Sequence, residues 1–156
     1  LDGGIQAWSQ TLSIDLPAID REPFTPKPWP TQRFATADAV ANRSSGTVLI
    51  DARSTERFAG GENNIDPRFG HIPGATSAPW TENIKDQAFK TPEQLTDRFT
   101  GIGIKAATPV IAYCGSGVSA CSNLLALRLA GHEPSQLYVG SWSEWGADDS
   151  RPIETL

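Results

Sequence analysis

The sequence predicts one α/β domain with a parallel central sheet and helices on both faces. Three observations carry this. Residues 47–51 and 109–113 are short apolar runs that do not alternate, as strands buried on both sides should read. Helix-forming segments with recognisable caps fall between and after them. Both runs end on a residue with chemistry to offer, Asp51 and Cys114. In open parallel sheets, sites lie beyond the carboxyl ends of the strands.

Taken in order, residues 1–8 echo residues 138–145: an apolar residue, glycine and small residues, then Trp in the eighth place. That self-similarity predicts tandem copies of one fold, with residues 1–12 the tail of an upstream copy. Pro17, Pro23, Pro26, Pro28 and Pro30 forbid helix in the next stretch. Residues 13–33 are therefore expected to be an extended interdomain linker, with Phe24 and Trp29 as anchors on a surface. The compact domain is expected over 34–156. Thr36 caps a helix to residue 43. The strand 47–51 follows, then a brief helix over 54–59, capped by Ser54 and stopped by Gly60 and Gly61. Residues 62–74 read as loop. Thr91 caps a helix over 92–99, with Pro92 in its first turn. The strand 109–113, a helix over 120–130 closed by Gly131, and a third strand over 136–139 complete the pattern.

Composition sets limits. With 156 residues there is room for one ordinary domain, and 38% hydrophobic residues suffice for a core. A net charge of −5 argues against nucleic acid or an anionic membrane as partner. No apolar run approaches the roughly 18 residues needed to span a bilayer, and no signal-peptide pattern opens the chain. Two cysteines cannot form a disulfide framework, and Cys114 and Cys121 are not spaced as a metal pair. A reducing, cytoplasmic setting is the expectation, with neither metal nor cofactor. The chain has no Met and begins Leu-Asp-Gly-Gly, so it reads as part of a longer product.

Residues 109–130 are the most informative stretch. An apolar run ends on Cys114, a loop holding Gly115 and Gly117 follows, and a helical pattern starts near Ala120. A thiol there faces backbone N–H groups and the positive end of a helix, which favour a thiolate. The glycines let the backbone turn its amides inward without a Cβ in the way.

These segments resemble the rhodanese superfamily, specifically the catalytic C-terminal half of two-domain sulfurtransferases. Residues 50–58, the Gly-His-Ile-Pro-Gly-Ala run at 70–75, the Cys-Gly-Ser-Gly-Val-Ser-Ala loop at 114–120 and residues 138–146 carry the likeness in order. The resemblance implies the rhodanese fold and an enzyme that moves a sulfane sulfur. Cys114 would take it from a small-molecule donor as a persulfide and hand it to a thiol, a thioredoxin-like acceptor or cyanide. This loop resembles the version that goes with 3-mercaptopyruvate. Loops with cations after the cysteine go with thiosulfate, a dianion that rewards them. Thiosulfate:cyanide sulfurtransferase is the alternative donor reading. A non-catalytic rhodanese-like binding module is the other, although such modules usually lose the cysteine.

The resemblance also distributes roles. Cys114 and Ser116 are catalytic. Gly115, Gly117, Val118 and Ser119 line the substrate, and Arg57 and Arg68 hold its carboxylate by forked guanidinium contacts. The family's matching serine acts with a His and an Asp of the N-terminal half, so that half is an expected partner. Asp66-Pro-Arg68 departs from the family's Glu-Pro-Arg. Arg53 and Asp51 are expected to be structural, Asp51 by accepting from loop backbone. His71 is expected to be a turn residue, His132 to lie at the surface, Trp145 to be core, Trp142 core or site wall, and Cys121 a buried small residue. A cysteine phosphatase is excluded by Ala120, where an arginine would have to bind phosphate.

Overall fold

A computed structural model describes residues 3–28 and 30–156. Leu1 of the repeated motif and the anchor Trp29 lie outside the described residues. Gly3 and Gly4 take positive φ, and one 3₁₀ turn follows at Ile5–Ala7 with no buried residue. From residue 8 to 30 the described chain forms no helix or strand and is exposed throughout. Phe24, expected to anchor this segment, is 85% exposed. Nothing described in this chain covers the apolar side chains of the segment.

A 3₁₀ turn at Thr31–Arg33 leads into β1 (Phe34–Ala35), α1 (Ala37–Ala41), β2 (Val48–Asp51) and α2 (Thr55–Ala59). Then come β3 (Thr76–Ser77), a 3₁₀ turn at Trp80–Asn83, and the antiparallel hairpin of β4 (Ile84–Lys85) and β5 (Ala88–Phe89). The chain ends with α3 (Pro92–Gly101), β6 (Val110–Tyr113), α4 (Ala120–Leu129), β7 (Ser135–Tyr138) and α5 (Ser141–Ala147). The five-stranded parallel sheet has the order β1-β7-β6-β2-β3. β2 and β6 are central, and Asp51 pairs in register with Tyr113. Both chemistry-bearing strand ends therefore lie side by side, with Cys114 one residue beyond.

Alternation along the central strands splits the core into two faces. Ile50, Val110, Ala112 and Cys114 pack with Leu95 and Phe99 of α3 and Ala126 and Leu127 of α4. Leu49, Ile111 and Tyr113 pack with Val40 of α1 and Trp142 and Trp145 of α5. This is the expected α/β sandwich, with apolar side chains leaving both faces of each central strand.

The predicted caps are in place. Thr36 accepts from Ala39 N–H, Ser54 from Arg57 N–H, and Thr91 forms a reciprocal capping box with Gln94. Gly60 ends α2 in the left-handed region at φ 100°. β1, β3, the hairpin and α5 were not anticipated. His132, expected at the surface, is buried because the turn after α4 folds it inward with its N–H on Leu127 O.

Candidate active site

Cys114 is 2% exposed and forms the floor of a cavity of about 330 Å³ at the carboxyl edge of the sheet. The walls are Ala52, Arg53, Ser54 and Arg57 from the β2–α2 turn, Ile65, Trp80, Gly115, Ser116, Ser119, and Ser143 of α5. Four chain segments converge here because β2 and β6 are neighbours, and their following turns must share one rim.

The loop after Cys114 is fixed at its base by α5. Trp142 N–H donates to Cys114 O at 2.9 Å, and Ser143 N–H and Oγ donate to Gly115 O at 2.8 and 2.7 Å. Cys114 N–H donates to Ser141 Oγ at 3.2 Å, and that hydroxyl donates to Tyr138 O at 2.8 Å. Among the described residues, no backbone amide from Gly115 to Ala120 donates to another protein group. Six successive N–H groups at the mouth of α4 are therefore free for a ligand or for developing negative charge. Gly117 makes the turn at φ 84°, and a Cβ there would stand 2.8 Å from Val139 O. Cys121 Sγ donates to Gly117 O at 3.3 Å.

Positive charge reaches the cavity from β2 and its turn. Arg53 and Asp51 form a buried pair: Nε and Nη2 reach Asp51 at 2.7–3.1 Å, and Nη2 also donates to Gly70 O. The Arg53 guanidinium lies 4.6 Å from the Trp142 ring centroid. Burial opposes its charge, but the Asp51 contacts outweigh that and hold its pKa above the ordinary value. Asp51 also accepts from Arg53 N–H at 2.9 Å, the structural role expected of it. Arg57 donates to Asp66 from Nε at 2.9 Å and Nη2 at 2.5 Å. Its Nη2 lies 3.3 Å from where a Gly115 Cβ would be, so the missing side chain makes room for the arginine. Burial pushes the Asp66 carboxyl up. The Arg57 hydrogen bond, the charges of Arg53 and Arg57, and Asn63 together pull it further down, leaving it below the ordinary value.

The structure brings Cys114, Ser116, Gly115, Ser119 and Arg57 to one cavity. It does not bring Arg68. That side chain donates to the carbonyls of Trp145, Gly146, Asp148 and Arg151, closing the end of α5, and lines no part of the cavity. Those carbonyls engage Nε and Nη2 and hold the guanidinium at the end of α5. Gly117 and Val118 lie off the cavity wall: the first is buried against Val139, and the second is 75% exposed. Ser119 precedes α4 without a side-chain capping bond. Cys121 is exposed and opens onto a different groove, beside Arg33 and Arg128. His71 is buried, stacked on Phe58 at 3.8 Å with Nδ1 on Phe58 O, as a structural turn residue should be. Trp142 and Trp145 are both core.

Sequence reasoning missed Trp80, Ile65 and Ser143 as cavity walls and Asp66 as the partner of Arg57. The Ser-Glu-Trp spacing of 143–145 carried a signal for Ser143: in a helix with Trp142 and Trp145 inward, Ser143 faces out.

A rhodanese-like domain is recognised over residues 36–148, and the chain belongs to the rhodanese family. It is 41% identical to the 3-mercaptopyruvate sulfurtransferase of Escherichia coli over 162 residues, covering all of this chain and 58% of that protein. It is 34% identical to the enzyme of the same name from Mus musculus, covering 93% of this chain and 51% of that one. The chain thus spans little more than half the length of these relatives. Among solved structures, EanB in complex with ergothioneine superimposes with a TM-score of 0.86 at 26% identity, over 99% of this chain and 40% of that one. A cysteine-persulfide form of EanB superimposes with the same score at 27% identity.

Proposed function

We propose that the protein carrying this chain is a sulfurtransferase that moves sulfur from 3-mercaptopyruvate, through a persulfide on Cys114, to a thiol, a thioredoxin-like protein or cyanide. The observation that carries this reading is the single cysteine at a parallel-strand end, in a cavity with one forked guanidinium edge and next to a loop whose six backbone amides, Gly115 to Ala120, have no protein partner among the described residues. The names of the relatives support it, as does the persulfide captured on a similar fold.

The chemistry balances without a cofactor. The Cys114 thiolate bonds to the donor's sulfur while the donor's C–S bond breaks. The bonding pair leaves on carbon as pyruvate enolate, which takes up the proton given by the donor thiol. An acceptor thiolate then attacks the outer sulfur, and the S–S pair returns to Cys114. Loop amides hold the negative charge at the sulfur, and Ser116 reaches the donor carbonyl with its hydroxyl. Arg57 holds the carboxylate with its free edge. Ser119 adds a second hydroxyl. The cationless loop disfavours thiosulfate.

The N-terminal half of the same protein is the proposed partner across the cavity mouth, with residues 1–12 its tail and 13–33 the connector. The exposed apolar side chains of the connector support this: Ile14, Leu16, Ile19 and Phe24 are each more than 80% exposed. No helix among the described residues is long and apolar enough to cross a membrane, and the two free cysteines fit a cytoplasmic setting.

Mixing the intact protein with 3-mercaptopyruvate should add one sulfur atom to the Cys114 peptide by mass spectrometry, and Cys114→Ser should abolish the gain. Arg57→Ala should raise KM about 10–100-fold with a smaller effect on kcat. An unmodified Cys114 in the intact protein would end the sulfurtransferase reading and favour the binding module.

A further inference from the structure

The two cations lining the Cys114 cavity are both neutralised from behind. Among the described residues, Arg53 and Arg57 are the only charged side chains on its wall. Arg53 is paired with Asp51, whose side chain is fully buried, and Arg57 with Asp66, whose side chain is 3% exposed. Arg53 Nη1 also reaches Asp66 at 3.3 Å, so the four groups form one ladder, Asp51–Arg53–Asp66–Arg57. Two positive and two negative groups sum to zero. Asn63 fixes Asp66 within it: its Nδ2 donates to Asp66 Oδ2 at 3.0 Å, and its Oδ1 accepts from the Asp66 N–H at 2.8 Å.

We infer that Asp66, acting through Arg57, sets the donor selectivity of this cavity by cancelling its charge while leaving a directed N–H edge. This rests on the sulfurtransferase reading for its meaning. Arg57 spends Nε and one Nη2 hydrogen on Asp66, so the edge bearing Nη1 is left for a ligand. A planar carboxylate matches that edge by shape and asks for no net positive field. A compact dianion gains from net charge far more than from an edge. Without that charge it meets the Cys114 thiolate with twice the repulsion of a monoanion at the same distance. Arg68, a third cation that would have tipped the balance, is committed to the carbonyls at the end of α5. Asp66 is thus a positioning residue that selects a monoanionic α-keto carboxylate against a small dianion.

The test separates charge from fold. Asp66→Asn keeps the shape and an acceptor for Arg57 but removes one negative charge. In the intact protein with Cys121→Ser, protection of Cys114 from iodoacetamide is titrated with pyruvate and with sulfate, and kcat/KM is measured for 3-mercaptopyruvate and thiosulfate. Asp66→Asn should shift the sulfate-to-pyruvate protection ratio about tenfold toward sulfate, and the donor ratio about tenfold toward thiosulfate. Asp66→Glu, which restores the charge, should return both ratios to within about twofold of wild type. Asn63→Asp adds a negative charge beside Asp66 Oδ2, where Asn63 Nδ2 donates, and should move the protection ratio the opposite way. It reads the same proposal if Asp66→Asn does not fold. A uniform loss for both ligands at unchanged ratio would overturn the proposal and leave Asp66 merely structural. If the wild type transfers sulfur from neither donor, the functional reading fails, while the protection ratios still decide this one.

Discussion

Ser141 shows how much of the site rests on one side chain. It is fully buried and holds φ at 52°, a left-handed conformation that a non-glycine residue occupies at a cost of about 1 kcal/mol. Its hydroxyl takes the Cys114 N–H and gives to Tyr138 O. Removing it leaves a buried amide unpaired beside the nucleophile, worth roughly 1–3 kcal/mol. Ser141→Ala and Ser141→Gly separate the two effects. Glycine relieves the backbone and alanine does not, so Ser141→Gly should melt at the higher temperature. Both lack the hydroxyl and should slow persulfide formation to a similar degree, about tenfold. Thermal melts beside single-turnover kinetics check this. Activity that recovers in step with stability in the glycine variant would reduce Ser141 to a fold-keeping role.

At the level of elements, the local signals were legible and the long-range ones were not. Thr36, Ser54 and Thr91 could be read as caps because a cap is completed within three residues. The apolar runs of β2 and β6 were readable because strands buried on both faces leave a continuous pattern. β1 and β3 are two residues each and exist only through pairing with β7 and β2, which no local pattern encodes. α5 begins after Gly140 with no side-chain cap, and it is held by Trp142 and Trp145 in the core. At the site, Cys114, Gly115, Ser116, Ser119 and Arg57 were legible from motif order. Arg68 was not, because carbonyls about eighty residues downstream claim its donors. Asp66 showed only as a departure from a pattern, since its partner lies nine residues back across a loop. The cap reading yields its own prediction: Thr91→Ala should lower stability by about 1 kcal/mol in chemical denaturation. Because α3 lines no part of the Cys114 cavity, kcat/KM should stay within about twofold of wild type. A large loss of activity without loss of stability would mean α3 is coupled to the loop by a route the packing does not show.

For the molecule as a whole, the charge ladder that orients the site also ties stability to pH. Burial raises the Asp66 carboxyl, but Arg57, Arg53 and Asn63 together leave it below the ordinary carboxylate value in the folded protein. A carboxyl depressed on folding contributes stability that is fully present above its unfolded value, and that stability is lost as pH falls through the folded one. Asp148, lowered by its bonds to Ser150, acts with the same sign from an exposed position. The melting temperature should therefore be flat from about pH 7 to about pH 5 and fall below about pH 4. Asp66→Asn removes one titrating partner and leaves Arg57 without a counter-charge. It should melt lower than wild type at neutral pH and lose less on acidification, so the two curves converge toward low pH. Parallel curves would move the acid sensitivity away from the ladder and onto exposed carboxylates such as Asp148. Convergence would tie the stability of the β2–α2 turn to the same ionised carboxylate that aims Arg57 at the cavity. In that case acid should weaken pyruvate protection of Cys114 before the protein unfolds.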